Sequence, residues 1–428
     1  MVAHLPWVAV TRYVVRPSGP LSGTVQVSGA TKNLGCKLLA ASLLTNGTST
    51  IRNIPHVDDL DVMIELLRAL GATVEPDGDD GLRIDASGEI VPDAPYEIVS
   101  KMRASFNVLG PLVARCGEAR VAMPGGDSIG SRKLDMHIDG LRAMGARVEV
   151  DDGYVVAWSD GGLLGARHVL EFPSVGATEN LLTAAVLAKG PTTIENAARE
   201  PEITELCRTL NMMGAHVVGG GTSTITVEGV EELSPVETEL IGDRIEAGTF
   251  LMACAVAGGE IELVGTRLEH VEMVAHKLGR MGMLVSATPD GLWARKARRL
   301  DAVDVQTLPF PGFATDFMPL AVAALAVADG TAIVTENVYD GRFQFVDELA
   351  RMGANVRNDG RHAIVRGVER LVAAEVQAAD VRAGAALTIA ALVADGETTI
   401  DACHHVDRGY ANLPAKLRQL GADVDRRA

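Results

Sequence analysis

Along this chain, apolar residues recur at helical spacing in short stretches that each end in a glycine and run into a β-branched strand. The stretches read LLRALGATVE, LRAMGARVEV, LNMMGAHVVG, LGRMGMLVSA, LARMGANVRN and LRQLGADVDR. Their glycines, Gly71, Gly145, Gly214, Gly282, Gly353 and Gly421, are separated by 68 to 74 residues. Leu and Met three and four residues apart put one buried stripe on each helix. The glycine supplies the left-handed backbone that a helix C-terminus needs. Six copies at a near-constant period predict a repeat architecture.

A second pattern precedes each of these. It is an alanine-rich helix, a turn and a strand, as in LLAASLLTNGTSTI, NLLTAAVLAKGPTTI, PLAVAALAVADGTAIV and AALTIAALVADGETTI. Helices that are apolar all round belong inside, surrounded by other elements. Each repeat therefore reads as helix, strand, helix, strand, with further strand between repeats. Six such repeats predict an α/β fold of two domains with three repeats each.

Composition narrows the picture. The chain has 428 residues, more than one hydrophobic core usually holds, which agrees with two domains. Aromatic residues make up only 4%, so the core is built of Ala, Val, Leu and Ile. The formal net charge of -17 argues against nucleic acid or an anionic membrane as partner. A local basic cluster can still hold a small anion. The cysteines, Cys36, Cys116, Cys207, Cys254 and Cys403, are odd in number and show no C-x-x-C spacing. Neither a disulfide scaffold nor a zinc site is expected, and a reducing cytoplasm is the simpler setting. No apolar run reaches the roughly 18 residues of a membrane span, and no signal-peptide pattern opens the chain.

A third pattern carries candidate chemistry. The segment opening each inner helix is polar: SGATKN (28–33), MRAS (102–105), SVGATEN (174–180), GDRIEAGT (242–249), FATDF (313–317) and DVRAG (380–384). Helix N-termini offer free N–H groups and a positive dipole end, which suit phosphate and carboxylate. A single segment of this kind would read as ordinary capping. Six in register, several with Arg or Lys, point to an anion site shared among repeats.

Several motifs are specific in combination: MRASFNVLGPLVAR (102–115), PGGDSIGSR (124–132), FPSVGATEN (172–180), ENAAREPEI (195–203), DRIEAGTF (243–250), PGFATD (311–316), ENVYDGRF (336–343) and DRGY (407–410). With them the chain resembles, end to end, the UDP-N-acetylglucosamine 1-carboxyvinyltransferase family of enolpyruvyl transferases. The resemblance implies an inside-out α/β barrel of six βαβαββ-like units. It implies one domain at 32–241 and a second formed by 1–31 with 242–428, with the active site in the cleft between them. It also implies transfer of the enolpyruvyl group of phosphoenolpyruvate to the 3-hydroxyl of UDP-N-acetylglucosamine. That is the first committed step of peptidoglycan synthesis, and it needs no metal or organic cofactor. A cytoplasmic protein is implied, with a monomer the favoured state.

By the same resemblance, Lys32, Arg132, Arg342, Arg382 and Arg408 form the basic set around phosphoenolpyruvate. Arginine suits this task, because its planar fork binds carboxylate and phosphate bidentately. Asn33 and Arg103 are further cleft residues. Ser174, Val175 and Gly176 correspond to the diphosphate-binding segment, and Lys133, Leu134, Asp135 and Val338 to other substrate contacts. Asp316 corresponds to the carboxylate that holds and deprotonates the sugar hydroxyl. Most members carry a cysteine in the P-G-G loop, and here that place is taken by Asp127, as in a branch that includes actinobacterial enzymes. The resemblance makes Asp127 the general acid toward the methylene carbon. A free Asp has a pKa of about 3.9, so this role requires a raised value. With no loop thiol to alkylate, the chain is expected to be insensitive to the epoxide fosfomycin.

Four positions depart from the family pattern. Thr31 stands as an extra residue before Lys32, Lys133 replaces a proline, and Ala314 and Met318 replace Pro and Gln. A paralogue acting on another uridine nucleotide, a 3-phosphoshikimate 1-carboxyvinyltransferase and a non-catalytic ligand-binding paralogue stay open as alternatives.

Overall fold

The computed structural model describes residues 11–126 and 134–427. They fall into two compact units. One contains residues 28–126 and 134–241, the other residues 11–27 and 242–427.

In the first unit, three helices are buried along most of their length: Cys36–Ala41, Leu109–Cys116 and Val175–Ala185. Their second unit counterparts are Arg244–Ala257, Met318–Leu325 and Val381–Ala391. Every residue of Val381–Ala391 is buried. Small side chains make this packing possible. A Cβ added at Gly110 would lie 2.3 Å from the carbonyl oxygen of Asn180, so the inner helices of the second and third repeats meet backbone to backbone.

Each inner helix feeds a four-stranded sheet, and among the described residues the six four-stranded sheets share one strand order. In the first repeat, Thr48–Arg52 follows the inner helix, and the outer helix Asp58–Ala69 leads to the hairpin Thr73–Asp77 and Gly81–Asp85. The hairpin pairs antiparallel with Thr48–Arg52. The fourth strand, Glu237–Glu239, comes from the end of the third repeat and pairs in parallel, with Thr238 opposite Ile51. It closes a ring of three repeats. The sixth sheet is completed differently. Arg12–Arg16, at the start of the described chain, lies between Thr398–Asp401 and Asp423–Arg427, with Tyr13 opposite Ile400 and Val15 opposite Val424. Among the described residues the sheets are separate and form no closed barrel. Helices lie inside and strands outside, as expected of an inside-out α/β arrangement.

The outer helices end as the sequence pattern requires. Gly71, Gly145, Gly214, Gly282, Gly353 and Gly421 all have positive φ, from 83° to 102°. The next N–H returns to a Leu carbonyl five residues back, from Ala72 to Leu67 and from Met283 to Leu278, both at 3.0 Å. The four other copies do the same. These leucines are 0% exposed, so each cap also closes the core.

Candidate functional site

The six polar segments that open the inner helices are not built alike. In three, a side chain caps the helix: Ser174 accepts from the Ala177 N–H, Asp243 from Ile245 and Glu246, and Asp380 from Arg382 and Ala383. The other three inner helices are entered through a tighter or wider turn. A π turn, Thr31–Gly35, leads into the first, and 3-10 turns, Arg103–Val108 and Thr315–Phe317, lead into the others. Such turns within helices often mark functional positions. Here they carry Lys32, Asn33, Arg103 and Asp316. The six segments expected to share an anion site thus divide into two kinds. Three N-termini carry a side-chain cap, and the other three bring candidate side chains to the helix start.

In the second unit, Asp316 is bracketed by two arginines. Arg342 Nη2 donates to its Oδ1 at 2.6 Å, and Arg382 Nη2 to its Oδ2 at 3.4 Å. Arg342 reaches in from the turn after Thr331–Thr335, and Arg382 stands in the first turn of Val381–Ala391. Both are buried, at 4% and 3% exposure. Burial opposes the charge on Arg342, but the carboxylates of Asp316 and Asp380 more than offset it, and its pKa is raised. Among the described residues, Arg342 Nε and Arg382 Nη1 are buried and have no hydrogen-bond partner. A buried cationic N–H without an acceptor is costly, so these two donors mark a place for an anion.

Residues the sequence reading did not single out support this pair. Arg382 lies over the Tyr410 ring at 5.1 Å, and the Tyr410 hydroxyl meets Thr249 Oγ1 at 2.8 Å. Arg342 Nη1 donates to Thr315 Oγ1 at 2.9 Å. Arg408, in the same unit, is half-buried just after His404–Asp407. Val338 donates its N–H to Glu336 Oε1 at 2.7 Å.

In the first unit the polar groups around Asn180 form a closed network. Asn180 Oδ1 accepts from the Gly110 N–H at 2.9 Å, which orients its amide. Asn180 Nδ2 then donates to the Phe106 carbonyl and faces His137 Nδ1 at 2.8 Å. This assigns the His137 proton to Nε2. Burial, helped by Arg103, pushes the His137 pKa down to about 3, so the ring is neutral. It sits against the start of Val175–Ala185, where a Cβ on Gly176 would lie 3.3 Å from its Cε1. Asn107 donates to Glu179, which lies 4.0 Å from Lys37. Burial pushes Glu179 up to about 7, although Lys37 and Asn107 act against the shift.

Lys32 pairs with buried Asp59 at 3.7 Å. The extra residue Thr31 is absorbed by the π turn, in which the Gly35 N–H reaches the Ala30 carbonyl at 2.9 Å. Lys37 Nζ donates to the Lys32 carbonyl at 2.7 Å and pins that turn. Leu134 is buried, and Asp135 opens the helix Asp135–Ala143 and accepts from the Met136 N–H at 2.9 Å. The structure thus places Lys32, Asn33, Arg103, Leu134, Asp135, Ser174, Val175 and Gly176 in the first unit. It places Asp316, Val338, Arg342, Arg382 and Arg408 in the second. Asp127, Arg132 and Lys133 lie outside the described residues. Burial raises the pKa of every cysteine, to about 12 for Cys36 and Cys207 and about 11 for Cys254.

This scaffold of inner helices and outer sheets is that of the enolpyruvyl transferases. The enolpyruvyl transferase NikO from Streptomyces tendae matches it with a TM-score of 0.86 at 26% identity, over 97% of this chain and 99% of that one. An EPSP synthase from Acinetobacter baumannii, at 19% identity, shares the fold with a TM-score of 0.76, over 98% of this chain and 100% of its own. The chain belongs to the EPSP synthase (3-phosphoshikimate 1-carboxyvinyltransferase) family, whose model matches residues 15–417. Among its relatives, the UDP-N-acetylglucosamine 1-carboxyvinyltransferase of Mycobacterium tuberculosis is 52% identical over 97% of this chain and 99% of its own. UDP-N-acetylglucosamine 1-carboxyvinyltransferase 1 of Caldanaerobacter subterraneus is 47% identical over 97% of this chain and its full length.

Proposed function

We propose that this protein transfers the enolpyruvyl group of phosphoenolpyruvate to the 3-hydroxyl of UDP-N-acetylglucosamine, releasing phosphate, in peptidoglycan synthesis. The observation that carries this is the Asp316 cluster. It combines a carboxylate with two buried guanidinium groups, each with a donor that lacks an acceptor among the described residues. A substrate bearing both carboxylate and phosphate would fill such donors. Relatives at 47–52% identity carry the name of this activity.

In the reaction, a proton adds to the methylene carbon of phosphoenolpyruvate and the sugar oxygen adds to C2, giving a tetrahedral ketal. Loss of phosphate and of a proton from the methyl group so formed restores the enol ether. Asp316 receives the hydroxyl proton as the carbon–oxygen bond forms. Arg342, Arg382 and Arg408, with Lys32 and Arg132, hold the phosphate and carboxylate. Asp127 supplies the proton to the methylene carbon, which places the chain in the branch with aspartate at the loop position. Ser174, Val175 and Gly176, backed by His137, receive the nucleotide diphosphate, with Asn33, Arg103, Lys133, Leu134, Asp135 and Val338 as further substrate contacts. In this reading, groups of both units take part in the reaction. The setting is cytoplasmic, and insensitivity to fosfomycin belongs to the same proposal, since every thiol is buried or has its pKa raised.

The test is phosphate release from phosphoenolpyruvate with UDP-N-acetylglucosamine, UMP, UDP-glucose or shikimate 3-phosphate as acceptor. UDP-N-acetylglucosamine should be the fastest. A faster rate with UMP would assign the chain to another uridine nucleotide, and a faster rate with shikimate 3-phosphate to the shikimate reaction.

A further inference from the structure

Glu336 lies at the end of Thr331–Thr335, 1% exposed. Its two oxygens accept four hydrogen bonds. Oε1 takes Thr307 Oγ1 at 2.9 Å, the Val338 N–H at 2.7 Å and the Tyr339 N–H at 3.0 Å. Oε2 takes a single donor, Thr315 Oγ1, at 2.8 Å. A hydroxyl has one hydrogen to give. Thr315 gives it to Glu336, so the lone pairs of Thr315 Oγ1 are left to accept from Arg342 Nη1 at 2.9 Å. Arg342 then has one terminal nitrogen on Thr315 and the other on Asp316. These two contacts fix the plane of the guanidinium and leave Nε as its one nitrogen without a partner among the described residues.

We infer that Glu336 is a positioning residue, which sets the polarity of the Thr315 hydroxyl and through it aims Arg342 at the anionic substrate. This rests on the function proposed above. Carboxylate identity matters because both Glu336 oxygens are acceptors. In Glu336→Gln, the amide oxygen is retained at the Oε1 place, where two backbone N–H groups require an acceptor. The amide nitrogen then faces Thr315 and donates to it. The Thr315 hydrogen is turned toward Arg342 Nη1, where two donors oppose each other. A charged network of this kind is apportioned by a double-mutant cycle rather than by single deletions.

The experiment measures phosphate release with saturating UDP-N-acetylglucosamine and varied phosphoenolpyruvate, in wild type, Glu336→Gln, Thr315→Val, Thr315→Ser and the Gln–Val double variant, with a melting temperature for each. Glu336→Gln and Thr315→Val should each raise KM for phosphoenolpyruvate by about tenfold or more, the scale of one hydrogen bond to a charged group. The double variant should be no worse than Thr315→Val, because the relay is already gone. Thr315→Ser should stay within about threefold of wild type, because the hydroxyl is kept. Single effects that multiply in the double variant would overturn the inference and make Glu336 a support of the 338–339 turn only. So would a Thr315→Val enzyme matching Thr315→Ser, a comparison that holds even if Glu336→Gln fails to fold. Failure of wild type to release phosphate at all would instead strike the proposed function.

Discussion

The two polar clusters of this molecule sit on the same kind of scaffold and differ in one respect. In the first unit, Asn180 has both ends of its amide engaged, His137 is neutral and Glu179 is drawn toward its neutral form. In the second, Asp316 holds two arginines that each keep a buried nitrogen without a partner among the described residues. A closed network fixes a surface shape. A cluster with surplus cationic donors holds stored affinity for an anion, kept in place by Tyr410 and Thr315. The difference separates buried amide and imidazole groups that already have partners from guanidinium groups whose donors are only partly met.

The largest effect that would break this contrast concerns the carboxylate between the arginines. Asp316→Asn should lower turnover by about 100-fold or more, the usual scale of general acid–base catalysis, with little change in affinity for the nucleotide sugar. Near wild-type turnover would remove Asp316 from the chemistry. Next comes the guanidinium fork. Arg382→Lys keeps the charge but loses the geometry, and should raise KM for phosphoenolpyruvate about 10- to 100-fold. An equal rise for the nucleotide sugar would blur the division between the clusters.

The closed network makes a smaller, pH-dependent prediction. Folded His137 has a pKa of about 3, below its ordinary 6.5. The unfolded chain therefore takes up a proton that the folded one refuses between these values. Stability from this group is intact above pH 6.5 and is lost as pH falls toward 3. Urea midpoints should show a shallower acid loss in His137→Gln than in wild type. An identical slope would show that His137 carries no such penalty. Smallest is a change far from either cluster. Gly421 has φ 88° and no atom within 4 Å of an added Cβ. Gly421→Ala should cost about 1 kcal/mol by denaturant titration, from backbone strain alone, with kinetics unchanged.

The repeat was legible in the sequence because its signals are local. Leu and Met before each glycine, and the glycine itself, are set by the helix and its cap over about five residues. The inner helices were legible for the same reason, as apolar all round. The supports of the site were not. Glu336 serves Thr315 across 21 positions, Tyr410 reaches Thr249 across 161, and Glu179 holds Asn107 across 72. No local pattern encodes partners so far apart, although Glu336 and Tyr410 stood in motifs already marked, ENVYDGRF and DRGY. The π turn at Thr31–Gly35 was also beyond a reading based on helical period, since its wider winding absorbs the extra residue without moving a hydrophobic position. Asp316, Arg342 and Arg382 came from resemblance, and only the fold brings them within hydrogen-bond reach of one another.

The central claim is that surplus donors around Asp316 exist to hold phosphoenolpyruvate during transfer to a nucleotide sugar. Phosphorus NMR of the protein with phosphoenolpyruvate and UDP-N-acetylglucosamine tests it most directly. Inorganic phosphate should appear in step with loss of both substrates, alongside a single enolpyruvyl UDP-sugar, and phosphoenolpyruvate alone should persist. Phosphate released without the acceptor, or both substrates surviving unchanged, would contradict the account.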